Sequence, residues 1–434
     1  MHETSAIHVN LAAIDHNMRM LRQMVGEGCA ICPIVKADAY GLGAIRVAER
    51  LVQSGADMLA VYTPRQAAEL ARAGIDVPLL ILMPVRDIAR TDELYRGLIS
   101  GKLHLTVCDA GHLDDLVKLT ERFGTTIAIH LEVDTGMSRG GCPLSDAPAL
   151  LQRIASSRRL HLAGVFTHFA SAETADDSAD RQLALFEQLL AEQSSLIPDD
   201  CLVHAASSFA TLRHTRFHKT MVRVGLAWAG YGCEWMAGRE RVRGAGDLQP
   251  AVSWHSRIIQ VKTIEQGTAV GYGGTWTAKR RTRLGLVPVG YADGLPMGLG
   301  RTDSKREGAM VGVEIGAAQA SAPATPQLAP GITSTQPRRV AYAPVVGAVN
   351  MDQISIDLTD LSTSRWGGAK VDIGSAVELI GVDSSAPNFL PIVARAAGTI
   401  PHEMLCRLNS RLPRVYQSAS TVRMPAPVAA AAAG

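Results

Sequence analysis

The 434-residue chain predicts an α/β fold: a parallel (β/α)8 barrel over residues 1–240, then a smaller, mostly β domain over 241–420. Three observations lead there. Short apolar runs alternate with helical patterns about eight times over the first roughly 230 residues, the rhythm of a parallel barrel. The stretch "MAGRERVRGAGDLQP" (236–250) is rich in glycine and charge, and β-type runs follow it. No G-x-G-x-x-G follows the first barrel strand, so an open dinucleotide-binding sheet is the weaker architecture.

Leu11, Ile14, Met18, Leu21 and Val25 recur at helical spacing, which predicts a helix over 11–25. "CPIVK" (32–36) is a short buried strand. "AIRVAERLVQSGA" (44–56) is helical, with Gly55 suited to its end. "DMLAVY" (57–62) is a strand, and "PRQAAELARAGI" (64–75) a helix opened by Pro64 and closed by Gly74. The alternation continues through the strands "VPLLILM" (77–83), "KLHLTV" (102–107), "TIAIHLEVD" (126–134) and "HLAGVFTHF" (161–169), with helices near 110–123, 146–156 and 180–193. "CLVHAA" (201–206) and "MVRVGLAWAG" (221–230) complete the barrel. The second domain carries "AVSWHSRIIQVKTI", "TRLGLVPVGY", "AMVGVEI", "VAYAPVVGAV", "DQISIDL" and "AVELIGV". Residues 316–337, rich in Ala, Pro, Ser and Thr, are a low-complexity insertion, and 421–434 a disordered tail.

The net charge of +2 gives no argument for nucleic acid or an anionic membrane as partner. The start "MHETSAIHVN" carries no secretory signal, and the longest apolar run, 77–85, is too short to span a bilayer. Seven scattered cysteines point to a reducing, cytoplasmic setting rather than a disulfide framework. Cys29 and Cys32 form a C-x-x-C, but no second ligand pair lies at zinc spacing, so they are expected as buried thiols and no metal is expected.

Chemistry in a parallel barrel sits at the C-terminal ends of the strands. Lys36 and Tyr40 follow the first strand. Glu132, Asp134 and Arg139 lie in "HLEVDTGMSRGG", and His168 ends "LAGVFT". Ser207 and Ser208 follow "CLVHAA", and Arg223 and Gly225 lie in "VRVG". A lysine amine condenses with an aldehyde. Hydroxyls and amides beside glycines suit a phosphate, and an arginine offers fixed, always-charged donors. This inventory fits pyridoxal 5'-phosphate held covalently.

On these stretches the chain resembles the alanine racemase family, fold type III of the pyridoxal-phosphate enzymes. The matching segments include "VKADAYGLG", "HLEVDTGMSRGG", "HAASSFATLR", "MVRVGL", "VGYGGTWTA", "VPVGYADGLP", "VVGAVNMDQ" and "TIPHEMLCRLNSRLPRVY", in family order to about residue 416. The resemblance implies interconversion of L- and D-alanine, supplying D-alanine for peptidoglycan. It implies Lys36 as the cofactor's amine and one base, and Tyr272 as the base on the opposite face. It implies Tyr40, Ser207, Ser208, Gly225, Leu226 and His402 around the phosphate, and Arg223 at the pyridine nitrogen with His168 beside it. Arg139, Tyr291, Met351 and Asp352 would meet the substrate or shape its access. Tyr272, Tyr291 and Met351 come from the partner subunit in this family, which implies a homodimer with shared sites. Racemisation needs a base on each face of the α-carbon. A tyrosine needs a neighbouring cation to serve as one.

Four positions depart from the family pattern. Glu132 stands where many members carry a carbamylated lysine, and supplies the same negative charge on a shorter arm. Ser207 replaces an asparagine, His402 a tyrosine, and Asn350 a cysteine. His402 and Asn350 leave a racemase for serine or another small amino acid as an alternative. A non-catalytic cofactor carrier is a further one, opposed by Tyr272 and the second domain.

Overall fold

The structure is a computed structural model describing residues 4–174, 176–232, 241–305, 308–315, 339–362 and 371–418. The insertion at 316–337 and the tail at 421–434 lie outside the described residues. The chain divides into two compact units, Ala13–Gln249, and Met1–Ala12 with Pro250–Gly434. The break falls at 249 rather than 240 for a local reason. The Asn17 side chain donates to the Gln249 carbonyl at 2.8 Å and accepts from its amide at 2.7 Å, tying this segment to the helix Leu11–Val25.

The first unit is the expected barrel. Ala30–Pro33, Met221–Val224, Leu202–His204, Leu160–Phe166, Ile127–Asp134, Leu103–Val107, Leu79–Pro84 and Leu59–Val61 lie side by side in that order, all parallel. A parallel bridge from Ile34 to Ala60 brings the ends of this sheet together. The helices are bounded by their own sequence signals. Thr63 and Gln66 form a capping box on Pro64–Arg72. Asp109 caps Ala110–Phe123, which ends on the left-handed Gly124.

Two predicted strands stop early. The run 221–230 is a strand only over Met221–Val224, because the Gly225 and Ala227 amides turn away to the Ser208 hydroxyl, at 2.8 and 3.1 Å. The first barrel strand ends at Pro33, short of Lys36.

The second unit holds a nine-stranded sheet. Its order is Gln260–Ile264, Thr282–Val287, Ile354–Asp357, Arg339–Val346, Met310–Ile315, Ala376–Ile380, Val252–Arg257, Ala6–Asn10 and Arg414–Gln417. Neighbours are antiparallel except the last pair, which is parallel with Ile7 opposite Arg414. The strand Ala6–Asn10, the strand Arg414–Gln417 and the short helices Leu390–Ala396 and Pro401–Cys406 have no counterpart in the sequence reading. Each is too short to show a period of its own.

No helix among the described residues is long and apolar enough to cross a membrane. No cluster of three or more His, Cys, Asp or Glu among them could hold a metal ion. Cys29 and Cys32 are buried free thiols, and burial pushes them up to about 11 and about 12.

Candidate active site

Lys36 opens a turn that the sequence reading did not anticipate. Ala37, Asp38, Ala39 and Tyr40 all have φ between 51° and 58° and ψ between 41° and 50°. Four consecutive L-residues thus wind left-handed, at a cost of roughly 1–2 kcal/mol each. The surroundings enforce it. The Ala39 amide reaches the Val35 carbonyl at 3.0 Å, the Gly43 amide the Asp38 carbonyl at 3.0 Å, and the Asp38 carboxylate takes the Ala44 amide at 2.6 Å. Gly41 and Gly43 continue at φ 76° and 91°, where glycine is at ease.

This turn swings the buried Tyr40 ring toward Gly225 and Trp228. A Cβ at Gly225 would stand 2.4 Å from the Tyr40 hydroxyl, so the glycine makes room for that oxygen. The Tyr40 and Ser208 hydroxyls therefore both lie against Gly225, one beside its Cα and one accepting from its amide. Ser207 precedes Ser208 as the half-buried residue before the helix Ser208–Arg213, and Leu226 follows Gly225, fully buried.

Arg223 is only 5 % exposed. One terminal nitrogen, Nη1, donates to His204 Nδ1 at 2.6 Å and to the His204 carbonyl at 3.1 Å. The other, Nη2, donates to the Thr167 carbonyl at 2.8 Å and His168 Nδ1 at 3.0 Å. Its Nε–H takes no hydrogen-bond acceptor among the described residues, which leaves one donor for an incoming acceptor such as a ring nitrogen. Burial lowers the guanidinium to about 10, so it stays cationic at neutral pH.

His168 is the opposite case. Burial, then the charges of Arg223, Arg139 and Lys36, push it down to about 3. It is neutral, and because arginine can only donate, His168 Nδ1 must accept and Nε2 carries the proton. Gln182, buried and absent from the sequence reading, holds this strand end through the His168 carbonyl and Thr135, each at 3.2 Å.

Asp134 gathers the amides of Gly136, Met137 and Ser138 within 3.1 Å and so builds the turn that delivers Arg139, which is exposed. Burial raises the Asp134 pKa and these amides outweigh it, for a net lowering. Glu132 lies under the same turn and accepts from Cys108 Sγ at 3.5 Å. Burial raises its pKa, while the Cys108 contact and the fields of Arg223 and Arg139 pull it back.

The remaining candidates belong to the second unit. Tyr272 crowns the ribbon Ala269–Val270 with Trp276–Thr277 and is 78 % exposed. Val270 and Trp276 anchor this ribbon in a cluster with Ala278, Leu284 and Val346. Tyr291 and Met351, also exposed, sit on two loops welded together. The Tyr291 amide meets the Asn350 carbonyl at 2.9 Å and the Ala292 amide the Met351 carbonyl at 3.0 Å. A Cβ at Gly290 would lie 2.2 Å from the Met351 carbonyl oxygen.

Arg411, missed from sequence, clamps the pair. It donates to Asp293 at 2.7 Å and to Asp352 at 2.8 Å, and both carboxylates hold it firmly protonated. His402 lies half-buried in the first turn of Pro401–Cys406. The Asn350 side-chain oxygen is buried and accepts no hydrogen bond among the described residues.

Comparison with known proteins bears on the family and the fold. Residues 9–232 match the family "Alanine racemase, N-terminal domain", and residues 251–315 and 335–416 match "Alanine racemase, C-terminal domain". The alanine racemase of Halothermothrix orenii is 30% identical over 94% of this chain and 96% of its own length. That of Prochlorococcus marinus is 32% identical over 94% and 95%. The crystal structure of alanine racemase from E. faecalis superposes with a TM-score of 0.77 at 29% identity, covering 96% of this chain and 99% of that one. The Bartonella henselae alanine racemase, solved with covalently bound pyridoxal phosphate, superposes at 0.74 and 25% identity over 96% and 100%. The two family matches and the relatives at 30% identity or more run over nearly the whole chain, and the chain belongs to the alanine racemase family.

Proposed function

We propose that this chain is a cytoplasmic alanine racemase that uses pyridoxal 5'-phosphate to interconvert L- and D-alanine, supplying D-alanine for peptidoglycan. The observation that carries this reading is the barrel rim. Tyr40, Ser208 and Gly225 converge there, Arg223 bonds His168 and keeps one donor uncommitted, and the Lys36 charge acts on His168, all of which supports this reading. The residues suit the cofactor, whose ring, when bound, supplies the electron sink that acidifies the substrate α-carbon.

Lys36 would hold the cofactor through its amine and would take or return the α-proton on one face. Tyr272 does so on the other. Arg223 would offer its uncommitted Nε–H to the cofactor ring nitrogen and, cationic at neutral pH, would keep its own proton, which would leave the sink weak. His168 passes a donor from the Arg223 side toward Tyr272. Tyr40, Ser207, Ser208 and the Leu226 amide would hold the phosphate, while the Gly225 amide, expected there too, is spent on the Ser208 hydroxyl and so orients it. Arg139 meets the phenolic oxygen and the substrate carboxylate, steadied by Glu132. Tyr291, Met351 and Asp352 shape access. A second copy of the chain supplies Tyr272, Tyr291 and Met351, so the active species is a homodimer; the exposure of these three side chains fits such a role.

A racemase for serine or another small polar amino acid is the second reading, motivated by His402 and Asn350 standing where the family pattern has a tyrosine and a cysteine. The test is a panel of amino acids incubated with the cofactor-loaded protein, each product resolved chirally. Alanine is expected to racemise fastest. Serine leading would shift the assignment, and no racemisation despite cofactor binding would leave a carrier. Light scattering should report a dimer.

A further inference from the structure

Three strands of the barrel each carry one histidine in the middle of an apolar run: "KLHLTV", "AIHLEV" and "CLVHA". Their side chains join. His104 Nδ1 lies 2.8 Å from His130 Nε2, and His130 Nδ1 lies 2.9 Å from His204 Nε2. His204 Nδ1 then meets Arg223 Nη1 at 2.6 Å. His130 and His204 are 0 % exposed.

Register explains how they line up. His104 pairs with Ala128, and His130 is two residues further on. His130 pairs with Gly164, and Phe166, two further, pairs with His204. His204 pairs with Met221, and Arg223 is two further again. Each link therefore climbs by two residues, staying on one face and rising toward the C-terminal rim. His130 and His204 are separated by the strand Leu160–Phe166, and His130 reaches past it only because Gly164 has no side chain. A Cβ there would stand 2.1 Å from His130 Nδ1. Phe166 stacks on His204 at 4.8 Å, and Arg223 lies over the same Phe166 ring.

The proton order in this chain follows from one end. Arg223 only donates, so His204 Nδ1 accepts and His204 Nε2 carries the proton. His130 Nδ1 must then accept and His130 Nε2 carry its proton, and the same step repeats at His104. Burial holds all three rings neutral: His104 is lowered to about 4, and His130 and His204 lie well below the ordinary value. At the outer end the Gly101 backbone favours a proton on His104, in keeping with the same direction.

We infer that His130 and His104 are positioning residues for the racemisation site: with His204 they form a one-directional hydrogen-bond chain that keeps an acceptor on Arg223. This rests on the proposed function, in which Arg223 serves the cofactor ring. Without His130, the His204 Nε2–H is buried and unaccepted. It gains by turning toward another acceptor, which would present a proton to Arg223 and displace the guanidinium.

The test uses full-length, cofactor-loaded protein labelled with 15N-histidine and studied by solid-state NMR, with signals assigned by single substitutions. Native His104, His130 and His204 should each be protonated at Nε2 alone. His130→Leu should disturb the His204 signals, shift the absorption of the bound cofactor and lower kcat about tenfold, with KM little changed. His130→Asn, whose side-chain oxygen can stand in for Nδ1, should restore His204, the absorption and most of kcat. His104→Leu, which leaves the His204 acceptor in place, should show a weaker version of the first result and covers the case in which His130→Leu does not fold. A mixed tautomer at native His204, or a folded His130→Leu protein with unchanged His204 signals and absorption, overturns the inference. The two readings fail separately. A native protein that racemises no amino acid removes the proposed function and this role with it. A racemising protein without the ordered tautomers removes this inference alone.

Discussion

At the scale of single residues, the barrel rim is an arrangement of fixed donors around one amine. Arg223 spends five hydrogen bonds on its neighbours and keeps Nε for something else. If Lys36 and Tyr272 are the two bases, Lys36→Ala should abolish racemisation and covalent cofactor binding together. Tyr272→Phe should keep the bound-cofactor absorption while losing about 10²–10⁴ in rate, the range for a positioned acid–base group. Glu132 offers a sharper test. Among the described residues it makes no ion pair with Arg139, so its effect there is a field rather than a contact. Glu132→Gln removes that field at constant shape and should raise KM for alanine about tenfold, by roughly the 1.4 kcal/mol that a tenfold change represents. Steady-state kinetics with full native parameters would sink the idea.

At the scale of elements, the loops matter more than the strands. The strands were legible because "LLILM" or "IAIHLEV" announce themselves by apolar content, and Thr63, Pro64 and Asp109 mark helix starts by known capping chemistry. The Lys36–Gly41 turn was not legible as left-handed, since Ala37, Asp38 and Ala39 carry no local preference for it. The turn is imposed by hydrogen bonds to Val35, Gly43 and Ala44. Arg411 was hidden for a similar reason: its partners Asp293 and Asp352 are distant in sequence, and only the fold brings them within 2.8 Å. The clamp predicts an asymmetry. Arg411→Ala strips the cation from the buried Asp293 and should cost about 2 kcal/mol in urea unfolding. Asp352→Asn touches only the exposed arm and should cost under about 1 kcal/mol. Equal losses would argue against the clamp.

At the scale of the whole molecule, the barrel interior is unusual in its neutral histidines. His104, His130, His168 and His204 are all held below the ordinary value of 6.5. Between that value and about pH 4 the unfolded chain takes up protons on these rings and the folded chain does not, so stability rises with pH and is lost as pH falls. Each ring contributes up to about 1.4 kcal/mol per pH unit in that window. Urea midpoints at pH 7 and pH 5 should differ clearly, the lower pH being weaker, and His104→Leu should flatten the difference. A midpoint independent of pH would show that the rings are charged or hydrated. The sequence already displayed these histidines one by one, and "IAIHLEV" even placed His130 two residues before Glu132. Their union was not legible, because it depends on the two-residue rise between strands and on the missing side chain of Gly164.

The turn after Lys36 has one more consequence. Ala37 through Tyr40 occupy the mirror image of an ordinary helical turn. A D-amino acid prefers that region as strongly as an L-residue avoids it. In a semisynthetic chain, D-alanine at the exposed position 37 would fit where L-alanine is strained. The protein proposed to invert alanine for others thus contains, next to its own reactive lysine, an alanine whose backbone already has the opposite hand.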